Sequence, residues 1–84
     1  ASFENIKQNL LIIMKYLWGV DLGGTKIEGI VIEAETGKIM ARPRVDTGAA
    51  NGYEHIVNQI GMLIDMLKSE TGLIPTAVGF STPG

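Results

Sequence analysis

The stretch DLGGT, residues 21–25, places a carboxylate, two glycines and a hydroxyl between two apolar runs. Glycines lack a Cβ, so a phosphate can approach the backbone and accept hydrogen bonds from the N–H groups of a turn. Thr25 would add a hydroxyl donor, and Asp21 would bind Mg²⁺ directly or through water. A buried carboxylate is costly unless it is hydrogen-bonded or holds a cation, and a plain turn does not explain one here. The pattern predicts a nucleotide-phosphate site that includes Gly23 and Gly24.

Other interpretations of the stretch stay open. Tight hairpin turns need positive φ, and this need alone would explain the glycine pair without any ligand. Lys26 follows the turn and is a candidate phosphate contact, although a lysine at the start of a strand is often simply solvated. Walker and Rossmann loops are excluded, because both lead into a helix and the residues after Thr25 are typical of a strand.

The flanking segments, residues 16–22 and 26–34, are apolar on both faces, as buried central strands require. After a turn at ETGK, residues 38–45 alternate apolar and polar and predict a third antiparallel strand. Pro43 cannot donate to a ladder hydrogen bond, which places this strand at a sheet edge. Trp18 is expected in the core.

A helix is predicted from a capping box formed by Asn51 and Glu54 to about Glu70, ended by Gly72 and Pro75. Its apolar stripe comprises Tyr53, Ile56, Val57, Ile60, Leu63, Ile64 and Leu67. A fourth strand follows within residues 76–81 and should run parallel to a strand on the far side of the hairpin. The expected fold is an incomplete α/β domain of order β-β-β-α-β with a mixed sheet. Nothing covers the second sheet face, so we expect it to be apolar and to favour self-association.

Composition narrows the function classes. The chain has 84 residues, 45% of them apolar, a net charge of −2 and no cysteine. This charge does not favour nucleic acid or anionic membranes as partners, and a small molecule is the default partner. The run LLIIM is far shorter than the ~20 residues that span a bilayer. Without cysteines or an export signal, a cytoplasmic location is expected. Residues 1–13 are interpreted as an extension and 14–84 as the start of the functional domain.

Two separated segments carry a resemblance to a known family. WGVDLGGTKIEGIVIE, residues 18–33, and VGFSTPG, residues 78–84, resemble the N-terminus of the ROK family of repressors, open reading frames and sugar kinases. The family has an actin-like ATPase fold of the ribonuclease H-like type. The resemblance implies ATP-dependent phosphorylation of a hexose or N-acetylhexosamine with Mg²⁺, and a homo-oligomer in the full-length protein. It places the phosphate hairpin at Asp21, Gly23, Gly24 and Thr25, and puts Gly84 near the hexose.

The resemblance also implies parts that residues 1–84 do not contain. These are the catalytic base, an adenosine-binding segment and, in many members, a His-Cys zinc motif, so we expect this chain alone to have negligible turnover. One alternative is a ROK-type sugar-responsive repressor, which would carry a winged-helix domain upstream, for which 13 residues are too few. Another is a structural domain in which Asp21 is only a turn acid.

Overall fold

The computed structural model describes residues 15–82. Its strands are β1 (Tyr16–Leu22), β2 (Lys26–Glu33), β3 (Ile39–Ala41), β4 (Arg44–Asp46) and β5 (Gly79–Ser81), and its helix α1 (Tyr53–Thr71) follows a short 3₁₀ turn at Ala49–Asn51. The expectations for residues 1–13, Pro83 and Gly84 lie outside the described residues.

The five strands form one mixed sheet of order β3-β2-β1-β5, and β4 also pairs with β2. β5 runs parallel to β1, and the other pairs are antiparallel. The parallel fourth segment beside the hairpin and the mixed sheet are therefore confirmed. A parallel connection needs a crossover, which α1 provides.

The core lies between α1 and one face of the central hairpin. Trp18 and Val20 of β1 and Ile27 and Val31 of β2 are buried there, as predicted for Trp18. From the helix, Leu63 and Leu67 are fully buried against them, while Tyr53 and Val57 of the predicted stripe are exposed. Fewer residues of the apolar stripe are buried than the sequence pattern predicts, because only part of the helix surface contacts the sheet.

The predicted third strand is wrong as a single element, because the structure has two short strands in its place. β3 and β4 both pair with β2, but the register shifts between Val31 and Ile32. Pro43 lies between β3 and β4. It has no N–H to donate, and its carbonyl accepts a hydrogen bond from Gly29 N–H at 2.9 Å. Its predicted position at the sheet edge is confirmed.

The predicted capping box is also wrong. Asn51 belongs to the 3₁₀ turn, and Gly52 is the N-cap of α1 with φ 92° and no side-chain capping hydrogen bond. This positive φ redirects the chain between turn and helix, so the Asn51 side chain does not cap the helix. The predicted end at Gly72 is confirmed: its φ is 70°, and its N–H donates to the carbonyl of Lys68.

The sheet face opposite α1 is only partly the apolar surface that the sequence predicts. Side chains alternate along a strand, so Leu17, Ile30 and Ile32 share this face with Asp21 and Glu28. The apolar residues lie where β1 begins, and the carboxylates lie where it ends. Within residues 15–82, no helix is long and apolar enough to cross a membrane.

The contact between α1 and β2 depends on Gly29. A Cβ at this position would lie 2.8 Å from Leu67 Cδ1 and 3.1 Å from Leu63 Cγ, both in fully buried side chains. We expect Gly29→Ala to destabilise the fold by about 1–3 kcal/mol through overpacking.

Gly61→Ala is the matched control, because a Cβ there meets no described atom within 4 Å. In a helix interior it should stabilise by about 0.5–1 kcal/mol. Equilibrium urea unfolding measures both changes, and equal effects of the two variants would contradict this packing.

Candidate functional site

The hairpin between β1 and β2 is closed by its own backbone. Gly23 N–H donates to the carbonyl of Lys26 at 3.0 Å, which leaves Gly24 and Thr25 at the tip. A third segment fastens it, because Thr47 N–H donates to the carbonyl of Thr25 at 2.9 Å and Thr47 Oγ1 to the carbonyl of Gly23 at 2.8 Å. Thr47 is buried. The sequence did not indicate Thr47, because its hydrogen-bond partners in the hairpin lie far from it in the chain.

The two glycines of the hairpin have different reasons to be glycine. Neither has positive φ, so the interpretation that the turn needs them for that reason is wrong. At Gly23 a Cβ would lie 2.6 Å from the Lys26 carbonyl oxygen, so closure of the hairpin excludes any side chain. At Gly24 a Cβ would meet nothing within 4 Å among residues 15–82. The described structure thus requires a glycine at Gly23 and leaves Gly24 unexplained.

The tip also carries donors without a partner in the described part of the chain. The N–H groups of Gly24 and Thr25 donate to no protein acceptor there, and neither does the Thr25 hydroxyl. Both residues are exposed. Adjacent backbone N–H groups at a turn form a concave surface that suits an anion. The structure therefore brings the predicted Gly23, Gly24 and Thr25 together in a turn that can receive one.

Asp21 lies at the end of β1, on the sheet face opposite α1, two residues before the turn. Its carboxylate is exposed, so the burial cost from which the sequence predicted a cation does not arise here. Oδ1 accepts a hydrogen bond from Ser81 Oγ at 3.0 Å. Asp21 and Ser81 are partners across the parallel strands β1 and β5. This strand pairing brings together the two segments that carry the family resemblance. Sequence reasoning assigned no contact to Ser81.

The residue opposite Asp21 on β2 is a second acid, Glu28. Arg42 Nε donates to Glu28 Oε1 at 2.6 Å, and Arg44 Nε donates to Oε2 at 2.7 Å. The hydrogen bonds from Arg42 and Arg44 hold the pKa of Glu28 below its ordinary value, against the opposing effect of desolvation. The sequence interpretation gave the two arginines only the role of preventing edge pairing and did not find this contact.

Lys26 begins β2 beside the hairpin, and its ammonium group pairs with Asp46 of β4. The hydrogen bond and charge of Lys26 lower the pKa of Asp46. Both side chains are more than half exposed, and such surface pairs are weak and screened by salt. Lys26 therefore lies next to the predicted phosphate site, with its ammonium group paired to Asp46.

A shallow groove of about 280 Å³ runs along the face that carries Asp21. Its lining is Gly19, Val20, Asp21, Glu28, Ile30, Gly79, Phe80 and Ser81. Within residues 15–82 no group of three or more His, Cys, Asp or Glu side chains is placed to hold a metal ion. Any cation in this groove would need ligands from a bound molecule or from water in addition to the carboxylates.

Comparison with known families decides the relationship. The model of the ROK family matches residues 17–84, which is most of the chain. The chain belongs to the ROK family. This confirms the resemblance found in the DLGGTK and VGFSTPG segments, and the family includes sugar kinases and repressors. A comparison with curated proteins finds no match. The small α/β architecture with a mixed sheet and one helix is compatible with the N-terminal part of an actin-like ATPase.

The ion pairs of Glu28 predict a pH-dependent stability. Its pKa is lowered in the folded state, so the carboxylate stabilises the fold above its ordinary pKa of 4.5, and this contribution is lost as the pH falls through the lowered value. We expect the thermal unfolding midpoint of the wild type to be higher than that of Glu28→Gln above pH 4.5. This difference should shrink as the buffer becomes more acidic. Glu35→Gln, at an exposed turn, controls for the loss of one surface charge. A wild-type advantage that stays constant down to pH 2 would contradict the assignment.

Proposed function

We propose that this chain supplies the phosphate-binding hairpin of an ATP-dependent kinase that phosphorylates a hexose or N-acetylhexosamine. The supporting observation is Gly24, whose φ is ordinary and whose absent side chain leaves open space. Glycine costs conformational entropy, so a glycine that the described chain does not need favours a ligand close to the backbone. The N–H groups of Gly24 and Thr25, which have no partner among residues 15–82, favour an anionic ligand.

The residues present fit the Mg²⁺ that the family implies. Mg²⁺ is usually bound by one or two carboxylates together with substrate phosphates and water, and does not need an all-protein cage. Asp21 offers one exposed carboxylate near the hairpin, with Oδ1 oriented by Ser81. When bound, Mg²⁺ would neutralise charge on the phosphates during transfer.

The contribution of this chain to the reaction is positioning. The N–H groups at the hairpin tip would donate to phosphate oxygens, and Thr25 Oγ1 would add a further donor. Lys26 would exchange Asp46 for a phosphate oxygen and bring a positive charge to it. Thr47, the residue after β4, holds the hairpin in place, so these donors are fixed before the ligand arrives. A fixed set of donors lowers the barrier because little reorganisation is needed during transfer.

Several elements of the proposal come from the family and from the sequence. The actin-like ATPase fold, ATP as the phosphate donor and Gly84 near the hexose are implied by the resemblance, as are a catalytic base and an adenosine site outside residues 1–84. A cytoplasmic location and a homo-oligomer complete the proposal for the full-length protein.

The alternative within the ROK family is a sugar-responsive repressor. Such a protein binds a sugar without transferring phosphate to it, and so has less need of open space and free donors at the hairpin. The glycine at position 24 therefore favours the kinase. Titration with Mg-ATP separates the two: a kinase binds it, whereas a repressor would bind sugar alone.

Substitution of Gly24 tests the carrying observation. We expect Gly24→Val in the full-length protein to weaken Mg-ATP binding at least about tenfold, because a branched side chain would occupy the approach of the phosphate. The unfolding midpoint should stay near that of the wild type, since no described atom lies within 4 Å of the new Cβ. Gly61→Ala, on the exposed side of α1, is the control with unchanged binding. Isothermal titration reports the affinity, and wild-type affinity in Gly24→Val would refute the proposal.

The role of Asp21 is tested by kinetics. Asp21→Ala in the full-length enzyme should lower kcat about 100-fold or more with little change in sugar affinity, because the cation contributes most in the transition state. Asp21→Asn retains an acceptor for Ser81 Oγ and removes only the charge, so it should show a similar loss. A collapse of sugar affinity at near-normal kcat would show that Asp21 has another role.

A further inference from the structure

The strand register places four polar side chains in one row across the sheet. Ser81, Asp21, Glu28 and Arg44 are successive partners on β5, β1, β2 and β4. Partners across a sheet point to the same side, so the whole row lies on the face opposite α1. Asp21 and Glu28 are therefore two carboxylates directly opposite each other, an arrangement that is unfavourable without compensation.

The compensation is directional. Ser81 donates to Asp21 from the β5 side, whereas Arg42 and Arg44 bind Glu28 from the opposite side of β2. Each Glu28 oxygen accepts from a different arginine, so neither oxygen is free to turn towards Asp21. The Glu28 side chain is only 19% exposed, which leaves it little room to leave these partners.

We infer that Arg42 and Arg44 are positioning residues that hold Glu28 away from Asp21, so that a single carboxylate faces the cation bound with the phosphate. This inference rests on the proposed function, since it concerns the same site. Cross-strand Cβ atoms lie about 4.5–5.5 Å apart, so an unrestrained Glu28 could reach a cation at Asp21. Two free carboxylates would bind a divalent cation without nucleotide, and the cation would then be held where it does not serve the phosphates.

The arginines could instead serve only to prevent edge pairing of the sheet. In that case their removal would promote association of the protein and leave cation binding unchanged. The two roles therefore differ in a quantity that a titration measures.

The test is Mn²⁺ binding to the full-length protein without nucleotide, followed by the loss of the free-ion signal in electron paramagnetic resonance. The double variant Arg42→Ala/Arg44→Ala should bind Mn²⁺ about tenfold more tightly than the wild type, the effect of one additional charge about 4–5 Å from the ion. Adding Glu28→Gln to this variant should return the affinity to within about twofold of the wild type. Lys15→Ala/Lys38→Ala removes two exposed positive charges elsewhere and should leave the affinity unchanged.

An unchanged affinity in the arginine double variant would overturn the inference, and so would a gain that persists after Glu28→Gln. If the double variant does not fold, Arg44→Gln leaves Arg42 on one Glu28 oxygen and should show a smaller gain of the same sign; no gain there overturns the inference equally. Mg-ATP titration of the wild type is run in parallel. Binding of Mg-ATP without any gain in Mn²⁺ affinity would remove this inference alone, whereas absence of Mg-ATP binding would remove the proposed function.

Discussion

The close approach of two backbone segments at Gly23 is the constraint on which the site depends. The N–H of Gly23 and the carbonyl of Lys26 lie 3.0 Å apart, and a side chain at Gly23 would collide with that carbonyl oxygen. This contact closes the turn and leaves the N–H groups of Gly24 and Thr25 at its tip, where they donate to no acceptor among residues 15–82. Thr47 then fastens the hairpin from outside with two hydrogen bonds. The geometry of the tip is thus set by the protein before any ligand is present.

The same hairpin links the core to the site. On one face, Ile27 and Val31 pack against α1 through the close contact at Gly29. On the other face, the same strand presents Glu28 between Asp21 and the arginines of the edge. Because side chains alternate along a strand, the packing of α1 fixes which side chains face the groove. A slip of one residue would bury the acids and expose the core, so the core and the groove depend on one register.

The sequence predicts the central strands, the mixed sheet and the end of the helix because their signals are local. Apolar residues on both sides of the glycine pair indicate buried strands, and Gly72 suits the left-handed conformation that ends α1. The predicted capping box does not form because Gly52, with a positive φ, takes the N-cap position, and Asn51 belongs to the preceding 3₁₀ turn. The narrower apolar stripe of α1 depends on how much of the helix the sheet covers, which periodicity does not reveal.

The contacts of the site were less predictable, since they join residues that are distant in the chain. Glu28 meets Arg42 and Arg44 because of the register between β2 and its edge strands, which shifts at a bulge. Thr47 and Ser81 reach the hairpin and Asp21 only once the sheet has formed. Asp21, Gly23, Gly24 and Thr25 could be singled out as candidates from the sequence because their types and spacing are unusual within a strand pair, and their role as a phosphate site stays a prediction.

The most direct measurement is an amide nuclear magnetic resonance titration of the full-length protein with Mg-ATP and, separately, with adenosine. If the hairpin tip binds phosphate, the N–H resonances of Gly24 and Thr25 shift with Mg-ATP and not with adenosine. The N–H of Gly23, already bonded to Lys26, moves less. Saturable Mg-ATP binding that leaves the Gly24 and Thr25 resonances unmoved would contradict the account.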